Sequence, residues 1–244
     1  MAQTKPVARA AVREQAQSSF LMAPPPGSEA RALEQAWRRL ALRLLGSIKQ
    51  APPVAIGVTS TIRGEGRTTG ALALAISVAT ETQERVLLLG ADFEGYGLAE
   101  ALDTDDRRDL EGLLRGTWTP ADAVADSGVP GVSVLPAYAS EEGEHLSPHT
   151  LWPALRRALP ALLEQFKREF PYVICDLPPL LDNADAPDIA NAVDGVLLLT
   201  RAGVTPLPKL EEAAAFLPSA KILGTVHVGE TSTLPKWVST LLLE

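Results

Sequence analysis

Between positions 59 and 69 the chain reads Thr59-Ser60-Thr61-Ile62-Arg63-Gly64-Glu65-Gly66-Arg67-Thr68-Thr69. Such a stretch can cradle a phosphate. Small residues let backbone N–H groups converge on oxygen atoms, and Gly64 and Gly66 supply that freedom. A helix starting at Thr68 adds the positive end of its dipole. Thr68 also stands where the hydroxyl of a phosphate loop would hold Mg²⁺. The same stretch is equally compatible with a plain strand-to-helix turn bearing two glycines, so its weight depends on the carboxylates further along the chain. Asp92 comes just after the apolar run Val86-Leu87-Leu88-Leu89, and Asp176 ends the run Tyr172-Val173-Ile174-Cys175. Either aspartate alone reads as a cap or turn residue. In a parallel sheet both emerge at C-terminal strand ends, beside the loop, where ligands bind. A carboxylate there can hold Mg²⁺ through water. Three such signals in the right order are far harder to obtain by chance than one.

The elements that must position these residues are legible from pattern. Val54 to Val58 is a short apolar strand leading into the loop, and an Ala-rich helix follows from about Thr68 to Thr82. Val86 to Leu89, Val132 to Leu135, Tyr172 to Cys175, Gly195 to Leu199 and Lys221 to Val226 are further strands. Gly116 and Pro120 divide the stretch 99–126 into two short helices. Leu151 to Phe170 reads as a helix that Pro160 kinks or divides. Continuously apolar strands alternating with helices predict a doubly wound, mainly parallel α/β sheet covered on both faces. Ahead of it, Ser28 is a plausible N-cap for a helix over residues 28–48. In that helix Leu33, Trp37, Leu40, Leu44 and Ile48 repeat at spacings of three and four, forming one apolar stripe. Residues 1–27, ending in Pro24-Pro25-Pro26-Gly27, read as a disordered arm, and residues 28–244 as one domain.

Composition narrows the function classes. The 244 residues suit one α/β domain with extensions. A net charge of −8 argues against broad nucleic-acid binding. No apolar run approaches the roughly 20 residues needed to span a bilayer, so direct membrane insertion is not expected. The first residues lack the apolar stretch of a secretory signal, and a single cysteine fits a reducing compartment, which together predict a cytoplasmic chain. Cys175, inside an apolar strand, is expected to be a buried, inert thiol. His145, His149 and His227 lack metal-ligand spacing; the first two read as exposed loop residues and the third as a strand residue. Trp37 and Trp152 read as packing residues, and Arg38, Arg39 and Arg43 as a solvated face that could also steer an acidic partner.

Taken together, the ordered segments resemble the bacterial tyrosine kinases of capsule and exopolysaccharide biosynthesis, relatives of the MinD/ParA-type P-loop ATPases. The resemblance covers about residues 30–230. Gly64-Glu65-Gly66 followed by Thr68-Thr69 looks like the family's Walker A loop. Val86 to Asp92 looks like its Walker A′ strand, and Val173 to Pro179 like its Walker B strand. Asp185-Ala186, Val193 to Gly203, Gly112 to Gly116 and Val132 to Pro136 fall where the family has similar segments. The resemblance implies a P-loop NTPase fold. It also implies phosphate binding by Gly64, Glu65, Gly66, Arg67, Thr68 and Thr69, with a metal site made by Thr68, Asp92 and Asp176. ATP and Mg²⁺ are the implied cofactors.

The departures from the family pattern are equally informative. Its phosphate-binding Lys is Arg67 here, whose wide planar fork does not replace a compact ammonium at a tight phosphate site. The family's first Asp of the second motif, the expected base, is Gly90, which offers no proton acceptor. The Arg that usually follows is Glu94. The Asn expected at adenine is Val228. Residues 236–244 contain no tyrosine, so the autophosphorylation cluster is missing. Of the family's acidic–basic–basic helix motif, which aligns with Gln35, Arg38 and Ala41, only Arg38 survives. These changes predict weak or lost nucleotide binding and a non-catalytic or feebly active subunit of polysaccharide synthesis or export. The implied partner is a membrane polysaccharide co-polymerase or chain-length regulator, or a catalytically competent paralogue, recruiting the chain to the inner face of the membrane; homo-oligomerisation is also compatible. One alternative is an active ATP-dependent tyrosine kinase or ATPase using Arg67, with Asp92 as the candidate catalytic residue. A MinD/ParA-like positioning switch is a second, disfavoured because Ile62 stands roughly where such switches carry a signature Lys.

Overall fold

The computed structural model describes residues 28–48, 50–94, 97–102, 108–138, 145–217 and 222–229. The predicted arm 1–27 and the C-terminal stretch 236–244 lie outside the described residues. In chain order the elements are α1 (Ser28–Ser47), β1 (Val54–Ser60), α2 (Arg67–Thr82), β2 (Val86–Gly90), α3 (Gly97–Leu102), α4 (Leu110–Leu114), α5 (Pro120–Ala123), β3 (Ala125–Asp126), β4 (Val132–Leu135), α6 (Pro148–Phe166), β5 (Tyr172–Asp176), α7 (Ala186–Ala190), β6 (Gly195–Arg201), α8 (Leu207–Ala215) and β7 (Ile222–Val228).

Among the described residues the strands form one seven-stranded sheet in the order β3-β4-β2-β5-β1-β6-β7. The β3–β4 pair is antiparallel and the other pairs are parallel. The reason for the unbroken apolar strands is visible in the packing. On β2, Leu87 and Leu89 join the cluster under α4, α6 and α7, while Val86 and Leu88 join the cluster under α1 and α2. Val173 and Cys175 on β5 face the first cluster, Ile174 the second; Val196 and Leu198 on β6 face the first, Leu197 and Leu199 the second. Both faces are dry, so both registers of each strand must be apolar.

Several expectations are refined. Three short helices, α3, α4 and α5, occupy the stretch expected to hold two, and β3, α7 and α8 carried too little pattern to be read. Residues 148–166 form one continuous helix although Pro153 and Pro160 lie inside it. Pro160 sits on the exposed side, as does Arg156 one turn earlier, so the carbonyl left without a donor faces water. Leu155, Leu159, Leu163 and Phe166 hold both halves of α6 on the core.

The stripe on α1 packs on the second cluster through Trp37, Leu44 and Ile48 with Ala41, but Leu33 is 51% exposed. Arg38 reaches across to Glu81 on α2 at 2.5 Å, so part of the basic face is already paired within the chain. Trp152 is buried edge-on against Phe93, with ring centroids 5.1 Å apart. Two of the three histidines depart from expectation. His149 is exposed but lies in the first turn of α6, and His145 is only partly exposed because its ring Nδ1 meets buried Glu111 at 2.6 Å. His227 is on β7 as predicted, against Thr200.

Candidate functional site

Sheet order is what assembles the site. β1 lies beside β5, and β5 beside β2, so the C-terminal ends of three consecutive sheet positions meet. Val58 on β1 and Gly90 on β2 both stand in register with Asp176 on β5. The chain leaving each strand is pinned to its neighbour: Ala91 N–H donates to the Asp176 carbonyl at 2.9 Å, and Leu177 N–H to the Val58 carbonyl at 2.9 Å. The loop after β1 therefore hangs directly over the exits of β2 and β5.

That loop turns at Gly64 and Gly66, whose φ values of 80° and 84° lie in the left-handed region that a side chain would strain. Gly66 is the N-cap of α2 and provides no side-chain cap, so the first N–H groups of the helix face the loop interior. Glu65 is fully buried, and its carboxylate accepts from the Ile62 amide at 3.0 Å and from the Thr205 hydroxyl. Its side chain thus braces the loop, and what it can offer a phosphate is its amide. Arg201, at the end of β6, donates to the Gly64 carbonyl at 3.2 Å. The Arg63 amide donates to Asp182 at 2.8 Å. Val228, at the end of β7, stands beside Gly66. Thr69 is exposed, and Thr61 has a buried hydroxyl without a partner among the described residues.

Beneath the loop is a cavity of about 160 Å³ lined in part by Arg63, Arg67, Thr68, Gly90, Asp92 and Asp176. It is below the roughly 300 Å³ at which cavities for whole organic ligands begin. Arg67, the first residue of α2, spans it. Its Nε donates to Asp176 Oδ1 at 2.8 Å and its Nη2 to Asp92 Oδ2 at 2.6 Å. The three side chains are 11%, 5% and 9% exposed. Arg63 adds a looser contact to Asp92 at 3.4 Å and pairs with Glu94. Thr68 lines the same cavity as Asp176.

Burial pushes the Asp176 carboxyl above its ordinary range, and the Arg67 charge pulls it only partly back. Burial pulls Arg67 down, but the two carboxylates outweigh it and hold its charge more firmly than usual. The residues expected to contact phosphate and metal are therefore brought together, but Arg67 engages the carboxylates. Thr68, Asp92 and Asp176 have the oxygen chemistry of a Mg²⁺ site. They do not fit the ion as they stand, because a guanidinium is bonded to both carboxylates.

Gly90 has its own geometry. A Cβ there would lie 2.9 Å from the Ala137 amide nitrogen, 3.1 Å from Leu98 Cδ1 and 3.3 Å from Pro136 Cα. The exit of β4 occupies the space where a longer side chain would begin. Sequence reading missed Arg201, Thr205 and Asp182, whose roles depend on contacts from distant strands. Arg63 and Glu94 carried one signal, their unusual charge beside the loop and after Asp92.

The comparisons with known proteins agree with this architecture. No family profile matches the chain. The tyrosine-protein kinase CpsD of Streptococcus agalactiae serotype III is 28% identical over 174 residues, covering 70% of this chain and 72% of that protein. Over seven tenths of its length this chain is similar in sequence to a bacterial tyrosine kinase. The succinoglycan biosynthesis transport protein ExoP of Rhizobium meliloti is 29% identical over 175 residues, which is 70% of this chain but 22% of ExoP. The kinase domain of the Escherichia coli tyrosine kinase ETK superposes with a TM-score of 0.74 over 83% of this chain and 77% of that domain, at 21% identity. The fold is thus that of P-loop NTPases, as the resemblance implied. No helix among the described residues is long and apolar enough to cross a membrane.

Proposed function

We propose that this chain is a tyrosine-kinase-like P-loop protein of surface-polysaccharide synthesis or export that works as a non-catalytic or weakly active regulatory subunit. The observation that carries this reading is the state of Arg67. At the position where the family places its phosphate-binding lysine, this chain has a side chain held by Asp92 and Asp176. An ATP γ-phosphate would have to compete with two buried carboxylates for that cation, and their negative charge opposes its approach. Gly90 removes the expected base as well, and loss of a base alone typically costs about 10²–10⁴-fold in rate. ATP binding is accordingly weak.

The chain's work in this reading is docking. The names of the relatives, a tyrosine kinase and a polysaccharide transport protein, support a place beside a membrane co-polymerase or a competent paralogue. Arg39 and Arg43 on α1, both exposed, are available to steer an acidic segment of such a partner. The test is transfer of labelled phosphate from ATP to a tyrosine peptide, with calorimetry of ATP binding alongside. Little heat at micromolar ATP and no labelled peptide are expected. Tight binding with robust transfer would replace this reading with the active-kinase alternative.

A further inference from the structure

Asp92 and Asp176 leave adjacent strands and face one cavity, each less than a tenth exposed. Two carboxylates so buried keep their charge only with a cation beside them. In a phosphate-loop protein that cation is ordinarily a divalent metal held through water by such residues. Here it is part of the chain. Arg67 bonds one carboxylate through Nε at 2.8 Å and the other through Nη2 at 2.6 Å, distances of strong charge-assisted hydrogen bonds. A guanidinium does not lose its proton in the physiological range, so this cation cannot be switched off. To enter, a metal ion would have to expel a side chain that is 11% exposed, or share two carboxylates with it. Arg63 makes expulsion harder by adding a second positive group beside Asp92.

We infer that Arg67 is the resident cation of this site, standing in place of a divalent metal, so that Asp92 and Asp176 take no Mg²⁺ or Mn²⁺ while it is present. A phosphate group reaching the loop then meets backbone amides and a fixed guanidinium, and its affinity does not depend on a divalent ion. The inference deepens the proposed function, since it assigns a physical cause to the weak catalysis, and it can fail separately.

The test is a titration of the full-length chain with Mn²⁺ alone, reading bound ion from loss of the free-ion electron paramagnetic resonance signal. The wild-type chain should bind none at this site, and Arg63→Ala, which leaves the fork intact, should also bind none. Arg67→Ala should gain one Mn²⁺ per chain, and Asp92→Asn in that background should lose it again. Should Arg67→Ala fail to fold, Arg67→Gln, a shorter polar side chain without the charge, takes its place. One Mn²⁺ bound by wild type and lost in Asp92→Asn would overturn the inference. So would folded charge-removed variants that bind no ion, or that bind it independently of Asp92. Metal bound by a wild-type chain that still transfers no phosphate sinks this inference and leaves the proposed function standing. Phosphate transfer in the presence of a chelator does the reverse.

Discussion

Gly90→Ala is the most direct probe of how far this site has moved from a kinase's. The added Cβ would fall 2.9 Å from the backbone nitrogen of Ala137, closer than carbon and nitrogen pack in folded proteins. The Leu98 side chain, at 3.1 Å, need give by only a few tenths of an ångström; the Ala137 nitrogen and the Pro136 Cα at 3.3 Å are backbone at the exit of β4 and cannot yield as a side chain does. β4 is hydrogen-bonded to β2 along its length, so relief requires shifting one strand end against its neighbour. Overpacking of this kind costs about 1–3 kcal/mol. For a chain of this size each kcal/mol lowers the melting temperature by about 2–4 °C, giving a fall of roughly 2–12 °C. Gly46→Ala is the matched control: a Cβ there meets nothing within 4 Å, and alanine suits a helix better than glycine. Calorimetric melts of the two variants should therefore move apart, Gly90→Ala downward and Gly46→Ala level or slightly upward. A Gly90→Ala melt equal to wild type would refute the steric reasoning. The same collision bears on repair of activity. Arg67→Lys with Gly90→Asp supplies the two missing groups, but the carboxylate would start from a Cβ in conflict with β4, so the double variant should be less stable and should not recover robust tyrosine phosphorylation.

Two further outcomes test the surroundings of the site. Glu111, 4% exposed, accepts from the Leu146 amide at 2.7 Å and meets His145 at 2.6 Å; Glu111→Ala should cost about 1–3 kcal/mol in a urea melt, with Glu111→Gln costing less because an acceptor remains. Burial pushes the Cys175 thiol upward, so it stays neutral and shielded; a thiol reagent at about pH 9, above the ordinary thiol range near 8.5, should label the chain only once denaturant unfolds it. Rapid labelling of the folded chain would mean that β5 is open to solvent.

Legibility from the sequence divides along physical lines. Signals local in the chain could be read directly. The apolar runs of β1, β2, β5 and β6, the glycines at 64 and 66, and the aspartates at 92 and 176 each fix something within a few residues: a buried strand, a left-handed turn, a polar strand end. Their order was enough to indicate a parallel sheet and a phosphate-type loop at its C-terminal edge. Short elements such as β3 and α7 were not legible, because a few residues held by long-range packing carry little periodicity of their own, and α8 buries only Ala213 and so shows no apolar stripe. The continuity of α6 through Pro160 was likewise a matter of which side faced water.

The partner of each charge is set by the packed fold. Arg67 lies 109 residues before Asp176 and 25 before Asp92, and nothing in those intervals says that its fork bridges both. That contact exists because the sheet order puts β5 between β1 and β2, which brings two carboxylates and the start of α2 into one small cavity where an unpaired charge would be costly. Residue order alone places a cation in the loop and two aspartates at strand ends. The packed sheet determined that this cation binds those aspartates, since burial without water leaves each buried charge to find its counter-charge among the groups the fold has placed within reach.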